Sequence, residues 1–236
     1  MVRRPWILIL FFVLPALLAS CSKSGDSNTA PTSRKPPSAA SEMASPAVSQ
    51  AAAAARPEAQ PASAVSPIVS AARDQVGKTL SYDPAYTRLS YPGGDVAMEK
   101  GVCTDVVIRS LRVSLKMDLQ KLVHEDMEAA FAQYPRQWGL RSPDPNIDHR
   151  RVPNLRRFFE RRGYSLPVTH KKEDYLPGDL VTCTVAGTLP HIMVVSDRKD
   201  TDGVPLVIHN IGGGAQEEPR LFEFPLTGHY RIKIGQ

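Results

Sequence analysis

The stretch "YLPGDLVTCTVAGTLPHIMVVSD", Tyr175 to Asp197, decides the fold. Pro177-Gly178-Asp179 is turn chemistry, and from Leu180 to Val185 the residues Val181, Cys183 and Val185 share one face of an alternating strand. Gly187 marks a short loop, after which a second strand opens at His191. "DRKDTDGV" supplies another turn, and "PLVIHNIGGG" reads as a third strand with His209 near its end. Strands joined by such short connections pair antiparallel, and neighbouring strands set His191 and His209 side by side on one face of the sheet. Cys183, inside the first strand, reads as a small buried hydrophobe.

Upstream, "GVCTDVVIRSLR", residues 101 to 112, puts Cys103 where an amphipathic helix begins, with Val107, Leu111 and Leu115 at helical spacing. A thiol at a helix N-terminus faces unpaired backbone N–H groups and the positive end of the dipole, which favour thiolate. Nucleophile, half of a disulfide with Cys183, and structural filler all remain open for Cys103 on this segment alone. A nucleophilic thiol needs a base and a group that fixes the base. His191 and His209 supply that pair if a helix packed on their face of the sheet delivers Cys103.

The order of these elements carries a resemblance. "YPGG" at Tyr91 to Gly94, "VCTD" around Cys103, "PGDLV" from Pro177, "PHIMVV" with His191 and "VIHN" with His209 resemble the papain-like cell-wall cysteine peptidases of the NlpC class. More narrowly they resemble a bacterial lipoprotein domain family of unknown function. The likeness runs from about Ser81 to Asn210. It implies an α+β, papain-like fold with N-terminal helices packed on a central antiparallel sheet. It also implies Cys103 as nucleophile, His191 as base, His209 as its orienting partner and Tyr91 beside the nucleophile. Where that class commonly has Asp-Cys-Ser-Gly, this chain has Val-Cys-Thr-Asp, so Asp105 stands where a small residue is usual.

The first twenty residues, "MVRRPWILILFFVLPALLAS", are two arginines, an apolar run and small residues, the layout of a secretory signal. "LASC" resembles a bacterial lipobox, which makes Cys21 the lipidation site; Ser22 after it favours the outer membrane, facing the periplasm. Residues 21–66 are Ala, Ser and Pro with scattered charge and read as a disordered tether. A flexible chain of that length reaches about 35 Å. Residues 67–236 form the remaining domain. The 29 Lys+Arg against 24 Asp+Glu leave a mildly basic balance. Outside the cytoplasm this suits an anionic envelope polymer rather than nucleic acid.

"NIDHRRVPNLRRFFERRGYSLP" gives a second helix opening at Pro153, with Leu155, Phe158 and Phe159 inward and Gly163 at its stop. His149, Arg150 and Arg151 precede it in a loop and, with Asp105 and Tyr91, are the candidate substrate-binding residues; guanidinium forks suit the carboxylates of a stem peptide. "DLQKLVHEDMEAAFAQYP" buries Leu119, Val123, Met127 and Phe131 and leaves His124 off the stripe. His170 and His229 lack companions at metal-ligand spacing, so neither metal nor cofactor is expected.

The expected protein is a lipid-anchored cysteine hydrolase cutting amide bonds of peptidoglycan stem peptides through a thioester. The alternatives are a non-catalytic peptide-binding module on the same fold and a thioester-based acyl or amine transferase.

Overall fold

A computed structural model describes residues 66–233. The signal, the lipidation site Cys21 and the tether up to residue 65 lie outside the described residues. The architecture is α+β. Four helices, α1 (Pro67–Arg73), α2 (Cys103–Leu115), α3 (Leu119–Ala130) and α4 (Val152–Arg161), accompany a two-residue parallel pair, β1 (Ser81–Tyr82) with β2 (Lys100–Gly101). The main sheet is antiparallel: β3 (Ser165–Leu166), β4 (Leu180–Val185), β5 (Leu189–Lys199), β6 (Pro205–Asn210), β7 (Ala215–Glu218) and β8 (Leu226–Tyr230), in the order β3-β8-β4-β5-β6-β7.

The expected hairpin is present, with Leu180 opposite Val194 and Cys183 opposite His191. Its second strand begins at Leu189, two residues ahead of the sequence reading, and three further strands flank the expected ones. Helix α3 ends at Ala130, leaving Phe131 in a 3₁₀ turn. Its N-cap is Asp118, whose carboxylate accepts the Gln120 N–H. Pro67 opens α1 and Pro153 is the second residue of α4, both in the first turn, where a missing N–H costs nothing.

The ladder assigns faces by parity. Leu180, Ile192, Val194 and Ile208 point to the face covered by the helices, where they pack with Cys103, Val107, Leu111 and Phe159. Val181, Cys183, Met193, Val195 and Val207 point to the other face and form a second cluster with Tyr175 and Leu221. His191 and His209 share parity with this second set, since Cys183 pairs with His191 and His209 is two residues from Val207. This corrects the expectation that the Cys103 helix packs on the histidine face. Helix α2 lies on the opposite face, against Ile192 and Val194 of the strand that carries His191.

Candidate active site

Two features bring Cys103 to β5. The first is a hub at the end of β6: the Asn210 side-chain amide donates to Ser81 O (3.1 Å) and Gly101 O (3.0 Å), tying both short strands to the sheet two residues before the cysteine. The second is a break in the sheet. The β5–β6 pairing stops at Val194↔Ile208, short of Ile192, and the backbone N–H of Ile192 is among the groups that favour the charged form of the Cys103 thiol. The thiol therefore sits beside the residue that follows His191. Both Cys103 and Cys183 are free and buried, which removes the disulfide alternative.

Burial dominates the thiol's electrostatics. It pushes Cys103 up to about 12, against the backbone N–H groups of Ile192, Thr104 and Cys103 itself, which pull the other way; Asp105 adds to the rise. The helix N-terminus does not by itself give the thiolate expected from sequence. His191 is likewise buried, and desolvation with the neighbouring His209 takes it down to about 3. The resting pair is a neutral thiol and a neutral imidazole.

The two imidazoles meet. His191 Nε2 lies 2.8 Å from His209 Nδ1, with the rings edge to face at 5.0 Å between centroids. The chain of contacts continues to a residue the sequence reading missed: His209 Nε2 is 3.0 Å from Glu218 Oε2 on β7. Nothing in "AQEEPR" signals this, because it depends on the register that sets Glu218 opposite Val207 and therefore on the His209 face.

The proposed substrate residues separate. A cavity of about 230 Å³ opens at Cys103, lined among others by Tyr82, Gln137, Trp138, Arg150, Arg151 and Pro190. Arg151 faces it with its guanidinium 4.2 Å above the Trp138 ring and a single carboxylate contact, to Asp148 at 3.3 Å. Arg150 is committed elsewhere: Nε and Nη2 clasp both Asp105 oxygens at 3.0 and 2.9 Å, and its other donors reach Ala85 O and Asp83 O. Asp105 also accepts the Val102 N–H at 2.6 Å, and Gly101 leaves it room, since a Cβ there would stand 3.0 Å from Oδ2. Asp105 and Arg150 are thus a buried brace for the start of α2; Arg150 lines the cavity as well, whereas Asp105, expected at the substrate, does not. His149 is buried at 2% exposure and does not line the cavity; desolvation takes it down to about 4.

Tyr91 is the clearest displacement. It lies 43% exposed and edge-on to His124, with Ser90 and Gly94 pinned to α3 by Gln120, which donates to Ser90 O and accepts the Gly94 N–H. The tyrosine at the site is Tyr82, next to Gly101 in register and lining the Cys103 cavity; burial and the nearby Cys103 and Asp105 push its hydroxyl up to about 12. A larger cavity, about 390 Å³, lies around His229 and Arg231 and contains none of the expected site residues.

Residues 69–232 match a family described as Domain of unknown function (DUF1287). The uncharacterized protein YijF of Escherichia coli (strain K12) is 58% identical over 167 residues, covering 71% of this chain and 81% of the relative. The family match is therefore to DUF1287 and not to the NlpC class, which corrects the assignment drawn from the motifs.

Proposed function

We propose that this chain, a member of the DUF1287 family, is a cysteine hydrolase that cleaves amide bonds of peptidoglycan stem peptides on a papain-like arrangement of helix and sheet. One observation carries the reading: a hydrogen-bonded His191–His209 pair on a strand whose next residue, Ile192, has its backbone N–H acting on the thiol of a cysteine that begins a helix. In this scheme His191 takes the Cys103 proton as the sulfur attacks the amide carbonyl. Helix-start N–H groups and the Tyr82 hydroxyl stabilise the oxyanion. His191 then passes the proton to the leaving amine, and water, deprotonated by the same ring, opens the thioester to acid and free thiol. Because the thiol starts neutral, proton transfer accompanies attack and no ion pair stands ready.

Substrate charge is supported by the cavity. Tyr82, Gln137, Arg150 and Arg151 supply its polar lining, and among the described residues no Asp or Glu lines it. Arg151 keeps donors of its guanidinium fork available, and stacking on Trp138 holds that fork in place, a setting suited to a substrate carboxylate. Acidic stem peptides meet that requirement. Attachment through lipidated Cys21, outward from the outer membrane into the periplasm, completes the proposal.

A second reading, a binding module without turnover, is favoured by the burial of Cys103 and its high pKa. Muropeptides from several wall chemistries, chromatographed after incubation with native protein and with Cys103→Ala, separate the two. Hydrolysis gives new peaks with native protein only. No new peaks from any wall type, together with equal binding by both proteins in calorimetry, would leave the binding module. A thioester-based transfer instead shows as products that incorporate an added amine.

A further inference from the structure

The contacts on the histidine face leave little freedom to the protons. His191 Nε2 and His209 Nδ1 stand 2.8 Å apart, so one nitrogen of the two carries hydrogen and the other accepts it. There are two ways to place that proton. If His209 donates, the remaining proton of neutral His191 sits on Nδ1, the only ring nitrogen not facing His209, and the base is lost. If His191 donates, Nδ1 is bare and can receive a proton from sulfur.

Glu218 breaks this degeneracy. Its Oε2 is 3.0 Å from His209 Nε2, and Arg220 Nε is 3.2 Å from the same oxygen, so a cation neighbours the carboxylate and an acceptor faces the ring. An accepting carboxylate requires hydrogen on His209 Nε2. We infer that Glu218 is a positioning residue which, by holding the proton of His209 on Nε2, obliges His191 to donate from Nε2 and keeps its Nδ1 free for Cys103. The inference rests on the hydrolase reading only for its purpose; the proton placement itself stands on the distances. Burial, which keeps both rings neutral by lowering their pKa values, removes the doubly protonated form that would evade the choice. During attack the positive charge arriving on His191 is shared through His209 toward the carboxylate, as a buried chain of hydrogen bonds allows.

The test is nitrogen NMR on the full chain labelled with ¹⁵N-histidine at neutral pH, with the two rings assigned through His191→Gln and His209→Gln. Native protein is expected to show a bare Nδ1 and a protonated Nε2 on both rings. Glu218→Ala, which leaves His209 Nε2 without its acceptor, is expected to shift His209 Nδ1 and His191 Nδ1 toward the protonated range, while Glu218→Asp restores the native pattern. A protonated Nδ1 on His191 in native protein overturns the inference without recourse to any variant, and so does an unchanged pattern in Glu218→Ala. The spectrum needs no substrate. A protein that cuts nothing while its rings respond to Glu218 would sink the hydrolase reading and leave this one standing.

Discussion

Asp105 and Arg150 meet with side chains 3% and 2% exposed, and among the described residues Asp105 is the carboxylate in salt-bridge contact with Arg150. Removing one leaves an unpaired charge in a dry place, which costs about 3–5 kcal/mol where buried pairs are broken. Asp105→Ala is therefore expected to lower the denaturant midpoint sharply, whereas Arg151→Ala, which loses one partly exposed contact, should leave folding nearly intact and weaken binding of carboxylate-bearing peptides. Equal stability losses from the two would contradict the separation of brace from recognition. The sequence could not make this distinction. Arg150 and Arg151 are adjacent and chemically identical, and only the direction in which the chain leaves the 3₁₀ turn at Asp148–Arg150 sends one inward to Asp105 and the other over Trp138.

At the scale of elements, the β1–β2 pair is held to the sheet by the two bonds from Asn210 and to the loop before β2 by Arg109, which donates to Val96 O, Ala97 O and Lys100 O, all at 3.1 Å. Asn210→Ala removes both side-chain donors, leaving Gly101 O with the Asp83 N–H alone and Ser81 O to solvent, a loss of about 1–3 kcal/mol. Hydrogen exchange is expected to quicken across residues 80–104 while β4 and β5 keep their protection; uniform loss across the sheet would mean that Asn210 supports the whole fold and not the site. The hairpin from Leu180 was legible because turn chemistry and alternation act locally. What was not legible was the sheet face on which α2 packs, a tertiary choice that strand periodicity leaves open. The same limit explains Tyr91 and Tyr82. Motif order pointed to the first, but Gln120 anchors that segment to α3, and the short pairing with β2 brings the second to the cysteine.

For the whole molecule, buried neutral histidines tie stability to pH. His149 and His191 have folded pKa values of about 4 and about 3, below the 6.5 of the free side chain. The unfolded chain therefore binds more protons in between, and stability present above pH 6.5 is lost as the pH falls toward those values. For His149 the shift corresponds to about 3 kcal/mol. Asp148, pushed up by burial, acts in the opposite sense, so the useful quantity is a difference between proteins. The stability gap between native protein and His149→Gln is expected to change by about 3 kcal/mol between pH 7 and pH 4; a constant gap would mean that His149 is protonated in the fold.

The central claim is that His191 serves Cys103 as a base, and the rate of Cys103 alkylation by iodoacetamide against pH tests it most directly. An assisted thiol reacts at a rate set by neutral thiol and neutral imidazole together, so native protein should show a nearly flat profile from pH 5 to 8, and His191→Ala a slow rate rising about tenfold per pH unit. A native profile that climbs with that same slope, unaltered by His191→Ala, would contradict the account.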